Sequence, residues 1–100
     1  MYMDKAEIMK LLHDNMPAIK RFGVSNIGLF GSYINDQNSE SSDIDILVHF
    51  EEGSKSFDNY MDLKFFLEDL FKGQKVDLVI DDSVKPALKD RILDTVEYAT

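Results

Sequence analysis

Cysteine is absent from this sequence of 100 residues, and cationic residues are scarce. Without cysteine the chain cannot form disulfide bonds, use a thiolate nucleophile or hold zinc through sulfur. The chain has 11 Lys and Arg residues against 19 Asp and Glu residues, a formal net charge of −8. This balance argues against a protein that binds the phosphate backbone of nucleic acids or an anionic membrane surface, because both need clustered cations.

Long apolar runs are also missing. No segment approaches the roughly 18 apolar residues that span a bilayer, and the first residues, MYMDKA, lack the pattern of a signal peptide. Hydrophobic residues make up 44% of the chain, which argues against disorder. We therefore expect a single cytoplasmic domain over residues 1–100, because a chain of this length has room for one core.

Hydrophobic periodicity predicts the element order α-β-β-α-β-α. Apolar residues at helical spacing indicate a first helix, which Pro17 should kink or split near Met16. Alternation of apolar and polar residues indicates strands, most clearly in the run DIDILVHF. The predicted helices are Asp4–Phe22, Ser56–Lys72 and one that begins at Pro86, and the predicted strands are Val24–Phe30, Asp43–Phe50 and Lys75–Ile80.

The second and third predicted strands are joined by a helix, so we expect them to lie parallel in one small mixed sheet. The predicted fold class is therefore α+β, with helices packed on the apolar face of the sheet. That face carries Ile44, Ile46, Val48, Val76 and Leu78. The opposite face carries acidic side chains and is expected to stay open.

Three acids, Asp43, Asp45 and Asp77, form the candidate site. Asp43 and Asp45 are two residues apart on one strand, so they lie on the same face, about 6.5 Å apart. If the strand of Asp77 is adjacent, its carboxylate lies one strand spacing away, about 4.8 Å. Carboxylates about 5 Å apart repel one another by roughly 3 kcal/mol per pair. Because the ligands are hard oxygens, the compensating cation predicted is Mg²⁺ or Mn²⁺.

Gly31 and Ser32 end the preceding strand. Glycine lets the backbone approach a ligand closely, and the serine hydroxyl with the following N–H groups can hold phosphate oxygens. Alone, Gly-Ser is more often a turn, and Asp-x-Asp is more often a solvated strand edge. The combination of Gly-Ser, ten residues, Asp-x-Asp and a third Asp on the next strand predicts metal-dependent chemistry on a nucleoside triphosphate.

The run GSYINDQNSESSDIDILV resembles the G-S-x10-D-x-D signature of nucleotidyltransferases with the DNA polymerase β-like catalytic fold. The chain is similar in length to the minimal nucleotidyltransferases that act as antitoxins of HEPN toxins. This resemblance implies that AMP is transferred from ATP to a hydroxyl of a partner HEPN toxin, expected to be a tyrosine. It also implies two Mg²⁺ or Mn²⁺ ions.

Residue roles follow from the same resemblance. Gly31 and Ser32 would hold the triphosphate. Asp43 and Asp45 would bind the two metals. Asp77 would bind the metal shared with the acceptor hydroxyl and would help to remove its proton.

One residue departs from the family pattern. Many minimal members continue Gly-Ser with one residue and then Ala-Arg-Gly, whereas Asn35 stands at the arginine position here. A neutral side chain cannot replace a guanidinium clamp. Lys72 or Lys75 is considered as a substitute, although solvated surface lysines are the simpler interpretation.

The Asn35 departure keeps a second function open, in which the chain neutralises the toxin by binding alone. A third is a small-molecule nucleotidyltransferase of the aminoglycoside-modifying kind, which normally needs a further substrate-binding region. Base specificity is not determined by the sequence.

Side chains outside the motif offer further candidates for ligands and for a partner interface. His49 lies four residues after Asp45 on the same predicted strand face, either as a further ligand or as a partly exposed strand residue. One helical stripe cannot bury both Phe65 and Phe66, so either of them, like Tyr98, is a candidate for a partner interface. A homo-oligomer or a hetero-oligomer is therefore possible.

Overall fold

The computed structural model describes residues 3–31 and 43–99. Ser32 and Asn35 lie outside this part of the chain. The described elements are α1 (Lys5–Asp14), α2 (Met16–Lys20), β1 (Val24–Phe30), β2 (Ile44–Phe50), α3 (Phe57–Leu70), β3 (Val76–Ile80), a 3₁₀ helix (Asp81–Ser83), α4 (Pro86–Thr95) and β4 (Glu97–Tyr98). None of the helices within these residues is long and apolar enough to cross a membrane.

The first predicted helix is divided into α1 and α2 at Asn15. Pro17 lies at the start of α2, where its missing N–H costs little because the first turn of a helix leaves such donors unpaired. The Asn15 side chain donates a hydrogen bond to the carbonyl of Leu11 at 2.8 Å and so closes the end of α1. The predicted split near Met16 is confirmed.

The sheet has four strands in the order β3-β2-β1-β4. β2 and β3 are parallel, as the intervening helix predicts, whereas β1 is antiparallel to both of its neighbours. The three predicted strands agree with β1, β2 and β3 to within one residue at each end. The α+β class with a small mixed sheet is confirmed.

The fourth strand was not predicted. The apolar spacing of Leu88, Ile92, Val96 and Ala99 predicts a last helix that reaches Ala99, but α4 ends at Thr95 and β4 then pairs with β1. Gly28 permits this approach, because a Cβ at that position would lie 2.7 Å from the Val96 side chain and 2.8 Å from the carbonyl oxygen of Glu97. A strand of two residues is too short to show alternation, so its partner on β1 decides its conformation.

The main core lies on the predicted apolar face of the sheet. Its strand residues Ile44, Ile46, Val48, Val76 and Leu78 are all 4% exposed or less. The helices, together with Phe71 directly after α3, cover them with side chains that are completely buried: Ile8, Leu12, Ile19, Leu63, Leu67 and Phe71. Each such side chain stabilises the fold by about 1.5–3 kcal/mol relative to an exposed one.

The opposite face is only partly open. Asp43 and Asp77 are exposed there, as expected. Leu47, on the same face between Asp45 and His49, is 2% exposed and lies outside the main core cluster. Ile92 of α4 is also buried outside that cluster. The expectation of an open face is therefore wrong at Leu47, because an apolar side chain at the middle of the face requires cover.

Tyr60 joins α3 to the strand that carries Asp77. Its hydroxyl donates a hydrogen bond to the carbonyl oxygen of Leu78 at 2.6 Å. Burial raises the pKa of Tyr60 above its ordinary value of 10.0, and the negative charge of Asp77 raises it further. The hydroxyl therefore stays protonated and donating at neutral pH.

We expect Tyr60→Phe to lower the free energy of unfolding by about 1 kcal/mol, measured by urea denaturation, because one partly buried hydrogen bond is lost. Above about pH 10 the unfolded tyrosine ionises before the folded one does, so wild-type stability falls as pH rises. The part of this pH-dependent loss of stability that comes from Tyr60 should be missing in Tyr60→Phe.

Tyr98→Phe is the control, because no hydrogen bond from the Tyr98 hydroxyl is found among the described residues. Equal losses of stability in the two variants would contradict the assigned role of the Tyr60 hydroxyl.

Candidate functional site

Parallel pairing of β2 with β3 places two of the three predicted acids side by side. Asp45 and Asp77 are register partners, so their side chains leave the same face of the sheet from strands about 4.8 Å apart. Asp43 directly precedes β2 and is exposed. The three acids therefore lie at one end of two neighbouring strands.

Gly31 brings the end of β1 against this acidic pair. Its φ is +79°, in the left-handed region that favours glycine, and a Cβ built on it would overlap the Asp45 carboxylate. Phe30, the preceding residue, is the register partner of Asp45. The close backbone approach that the Gly-Ser pattern predicts is thus found at Gly31, whereas Ser32 lies outside the described residues.

The donor set fits a hard divalent cation. Within residues 3–31 and 43–99 no group of three or more His, Cys, Asp and Glu side chains is arranged to hold a metal. Mg²⁺ is usually bound by one or two carboxylates together with substrate phosphates and waters, rather than by a complete protein cage. Asp45 and Asp77 supply two such carboxylates on adjacent strands. The two-ion site with Asp43 as a third ligand stays a prediction.

His49 is not part of the acidic site. Its Nδ1 lies 2.9 and 3.0 Å from the two carboxylate oxygens of Asp81. Four residues along β2 separate it from Asp45, a distance of about 13 Å. The interpretation as a partly exposed strand residue therefore fits the structure, with Asp81 as its partner.

The two candidate lysines lie on the β3 side of the site. The carbonyl of Lys75 accepts a hydrogen bond from the N–H of Ile44 at 2.9 Å, which places Lys75 beside the start of β2. Lys72 lies in the turn that follows α3 and has a φ of +59°. Both lysines are exposed.

A cavity of about 280 Å³ lies on the other side of the site, next to Gly31. It is lined by Phe30, Gly31, Leu88, Arg91, Ile92 and Thr95. The four residues from α4 are spaced i, i+3, i+4 and i+7, so they form one stripe of the helix. From the sequence, no residue of this stripe is predicted to be functional, although Arg91 has the spacing to share the stripe with the apolar Leu88 and Ile92.

The three aromatic candidates, Phe65, Phe66 and Tyr98, differ in their surroundings. Phe65 is 59% exposed, whereas Phe66 packs against the core with its ring centroid 5.5 Å from that of Phe22. Tyr98 is 42% exposed. Phe65 and Tyr98 therefore remain candidates for a partner surface, and Phe66 is better explained by packing.

Comparison with known proteins gives one consistent result. The family model described as Polymerase beta, Nucleotidyltransferase matches residues 8–98. Protein adenylyltransferase MntA of Thermococcus cleftensis is 44% identical over 79 residues, which cover 79% of this chain and 78% of that protein. The solved structure of a candidate minimal nucleotidyltransferase matches with a TM-score of 0.76 at 31% identity and covers 96% of each chain. A toxin–antitoxin crystal structure with AMP-PNP matches with a TM-score of 0.69 at 28% identity and covers 98% of this chain and 73% of that chain.

Proposed function

The chain belongs to the polymerase beta nucleotidyltransferase family and is an enzyme of that class, and from this we propose that it is an antitoxin that adenylylates a HEPN toxin. The donor is ATP, and the acceptor is a hydroxyl group of the toxin, most simply a tyrosine. The observation that carries the proposal is the pairing of Asp45 with Asp77 against the backbone of Gly31. A cytoplasmic location, where ATP is available, belongs to the same proposal.

The reaction is a displacement at the α-phosphorus of ATP. The acceptor oxygen forms a bond to that phosphorus, the bond to the oxygen that bridges the α- and β-phosphates breaks, and pyrophosphate leaves. Divalent cations, when bound, neutralise the triphosphate, which a chain of net charge −8 would otherwise repel.

The residues of this chain divide the work. Asp43 and Asp45 would hold the two cations, and Gly31 with Ser32 would hold the triphosphate. Asp77 would share in binding a cation and would favour removal of the acceptor proton. The parallel register of β2 and β3 supports the division, because it sets Asp77 beside Asp45 on a separate strand.

Two comparisons support a protein acceptor and an adenine nucleotide. A relative with 44% identity is named a protein adenylyltransferase. A structural neighbour that covers 98% of this chain is a toxin–antitoxin complex with AMP-PNP. Both support AMP transfer to a toxin more directly than transfer to a small molecule.

The test is to incubate the purified chain with ATP, MgCl₂ and its proposed HEPN toxin partner. We expect the intact mass of the HEPN protein to increase by one or more AMP units, because its hydroxyl displaces pyrophosphate. Peptide mapping then locates the modified residue, and parallel reactions with GTP, CTP and UTP determine base specificity.

A reaction with EDTA in place of MgCl₂ is the control and should give no increase in mass. If the chain inhibits the toxin fully while the toxin mass stays unchanged, transfer is excluded and neutralisation by binding alone is the function.

A further inference from the structure

We propose that Arg91 on α4 binds the β- and γ-phosphates of the nucleotide, from the cavity beside Gly31. The inference rests on the proposed function, because it takes a nucleoside triphosphate as the substrate. It gives α4 a role in binding the terminal phosphates, although α4 lies outside the Gly-Ser and Asp-x-Asp motifs.

The order of the strands sets the direction of the triphosphate. Asp77 on β3, Asp45 on β2 and Gly31 at the end of β1 follow one another across the sheet. Attacking and leaving oxygens lie roughly in line in phosphoryl transfer. If the acceptor is on the Asp77 side, the leaving pyrophosphate lies on the opposite side, over Gly31. The cavity lined by α4 is next in that direction.

Among the described side chains that line the cavity, that of Arg91 has free hydrogen-bond donors. Phe30, Leu88 and Ile92 are apolar, and the Thr95 hydroxyl already donates to the carbonyls of Arg91 and Ile92, at 3.3 and 3.2 Å. The Arg91 guanidinium has no hydrogen bond or ion pair with any described residue. A guanidinium binds phosphate through two parallel N–H donors, and apolar walls beside it strengthen the attraction.

Charge also favours Arg91 over the two lysines. The acidic pair repels a triphosphate, so a cation is needed where the terminal phosphates lie. Lys75 and Lys72 are on the β3 side, where the acceptor approaches. Among the described residues that line the cavity on the β1 side, Arg91 alone is charged. It therefore supplies the guanidinium that the sequence lacks at Asn35.

The experiment measures binding of ATP, pyrophosphate and AMP by calorimetry, in MgCl₂ and without toxin. We expect Arg91→Ala to weaken ATP and pyrophosphate binding by about 10- to 100-fold, because charge-assisted hydrogen bonds are lost. AMP, which has no β- or γ-phosphate, should bind with unchanged affinity. Arg91→Lys should recover part of the ATP affinity, because it restores the charge but not the two-donor geometry.

Arg21→Ala is the matched control, since Arg21 is exposed at the end of α2 and its loss changes the net charge equally. It should leave all three affinities unchanged. Wild-type affinity for ATP in Arg91→Ala would overturn the proposal. An equal loss for ATP and AMP would also overturn it, because it would indicate a contact with the base or the ribose, or altered folding.

The binding readout separates this inference from the proposed function. If the wild-type chain binds ATP through Arg91 but leaves the toxin unmodified, AMP transfer is rejected and the phosphate contact stands. If Arg91→Ala modifies the toxin with wild-type kcat and KM, the phosphate contact is rejected and AMP transfer stands.

Discussion

Asp45→Asn is expected to reduce kcat/KM for AMP transfer by about 1,000-fold or more, because it removes the charge that we propose holds a cation beside Asp77, its register partner. Asparagine keeps the size of the side chain, so the packing against Gly31 is retained. The rate is measured as incorporation of labelled AMP into the HEPN protein. Asp77→Asn should act in the same direction, because it removes the paired carboxylate.

Asp82→Asn is the control for charge alone. Asp82 lies beyond the end of β3, is exposed, and makes a 3.4 Å ion pair with Lys55. Such surface ion pairs contribute about 0–1 kcal/mol to the free energy of unfolding. Its rate should stay close to that of wild type. If Asp45→Asn unfolds cooperatively, the variant is folded, and its lower rate reflects the missing carboxylate and not a loss of structure. An Asp45→Asn variant with wild-type activity would contradict the metal-ligand role.

Gly31→Ala is the second prediction with a large effect. The new Cβ would overlap the Asp45 carboxylate, and alanine is disfavoured at a φ of +79°. We expect about a 100-fold loss of AMP transfer, since a displacement of about 1 Å in a catalytic group costs this much. The free energy of unfolding should fall by about 1–3 kcal/mol.

Gly73→Ala separates the two causes. Gly73 has a φ of +85°, but a Cβ there would meet nothing within 4 Å. It therefore shares the backbone strain of Gly31→Ala without the overlap. Both variants should be less stable than wild type in urea denaturation, and only Gly31→Ala should lose transfer. Similar losses of transfer in both would show that the Gly31–Asp45 contact is unimportant for the reaction.

Strand register explains how much of the site the sequence could predict. Alternation in β2 and β3 assigns Asp45 and Asp77 to one face, and the helix between the strands favours parallel pairing. The distance between the two acids still depends on whether the strands are adjacent, which no local pattern determines. The structure makes them adjacent and in register. The roles of Asp43 and Ser32 remain predictions.

His49 and Tyr60 show the limit of such patterns. The period of β2 places His49 on the acidic face, but its partner, Asp81, comes from the end of another strand. The stripe of α3 assigns Tyr60 to the core, but the pattern does not reveal that its hydroxyl donates to β3. Both contacts join residues distant in sequence, so local periodicity carries no information about them.

The sequence by itself determined the main core, three of the four strands and the two motifs that indicate nucleotidyl transfer. The core and the strands follow from local order, since period and spacing report which side of an element is buried, whereas nucleotidyl transfer is what the resemblance of the motifs to the family signature implies. Only the tertiary structure decided the course of the C-terminal segment. Gly28 leaves room for β4 to pair with β1. α4 directly precedes β4 in the chain and lies beside Gly31. Arg91 lines the cavity beside Gly31 through that long-range packing, which no local pattern encodes.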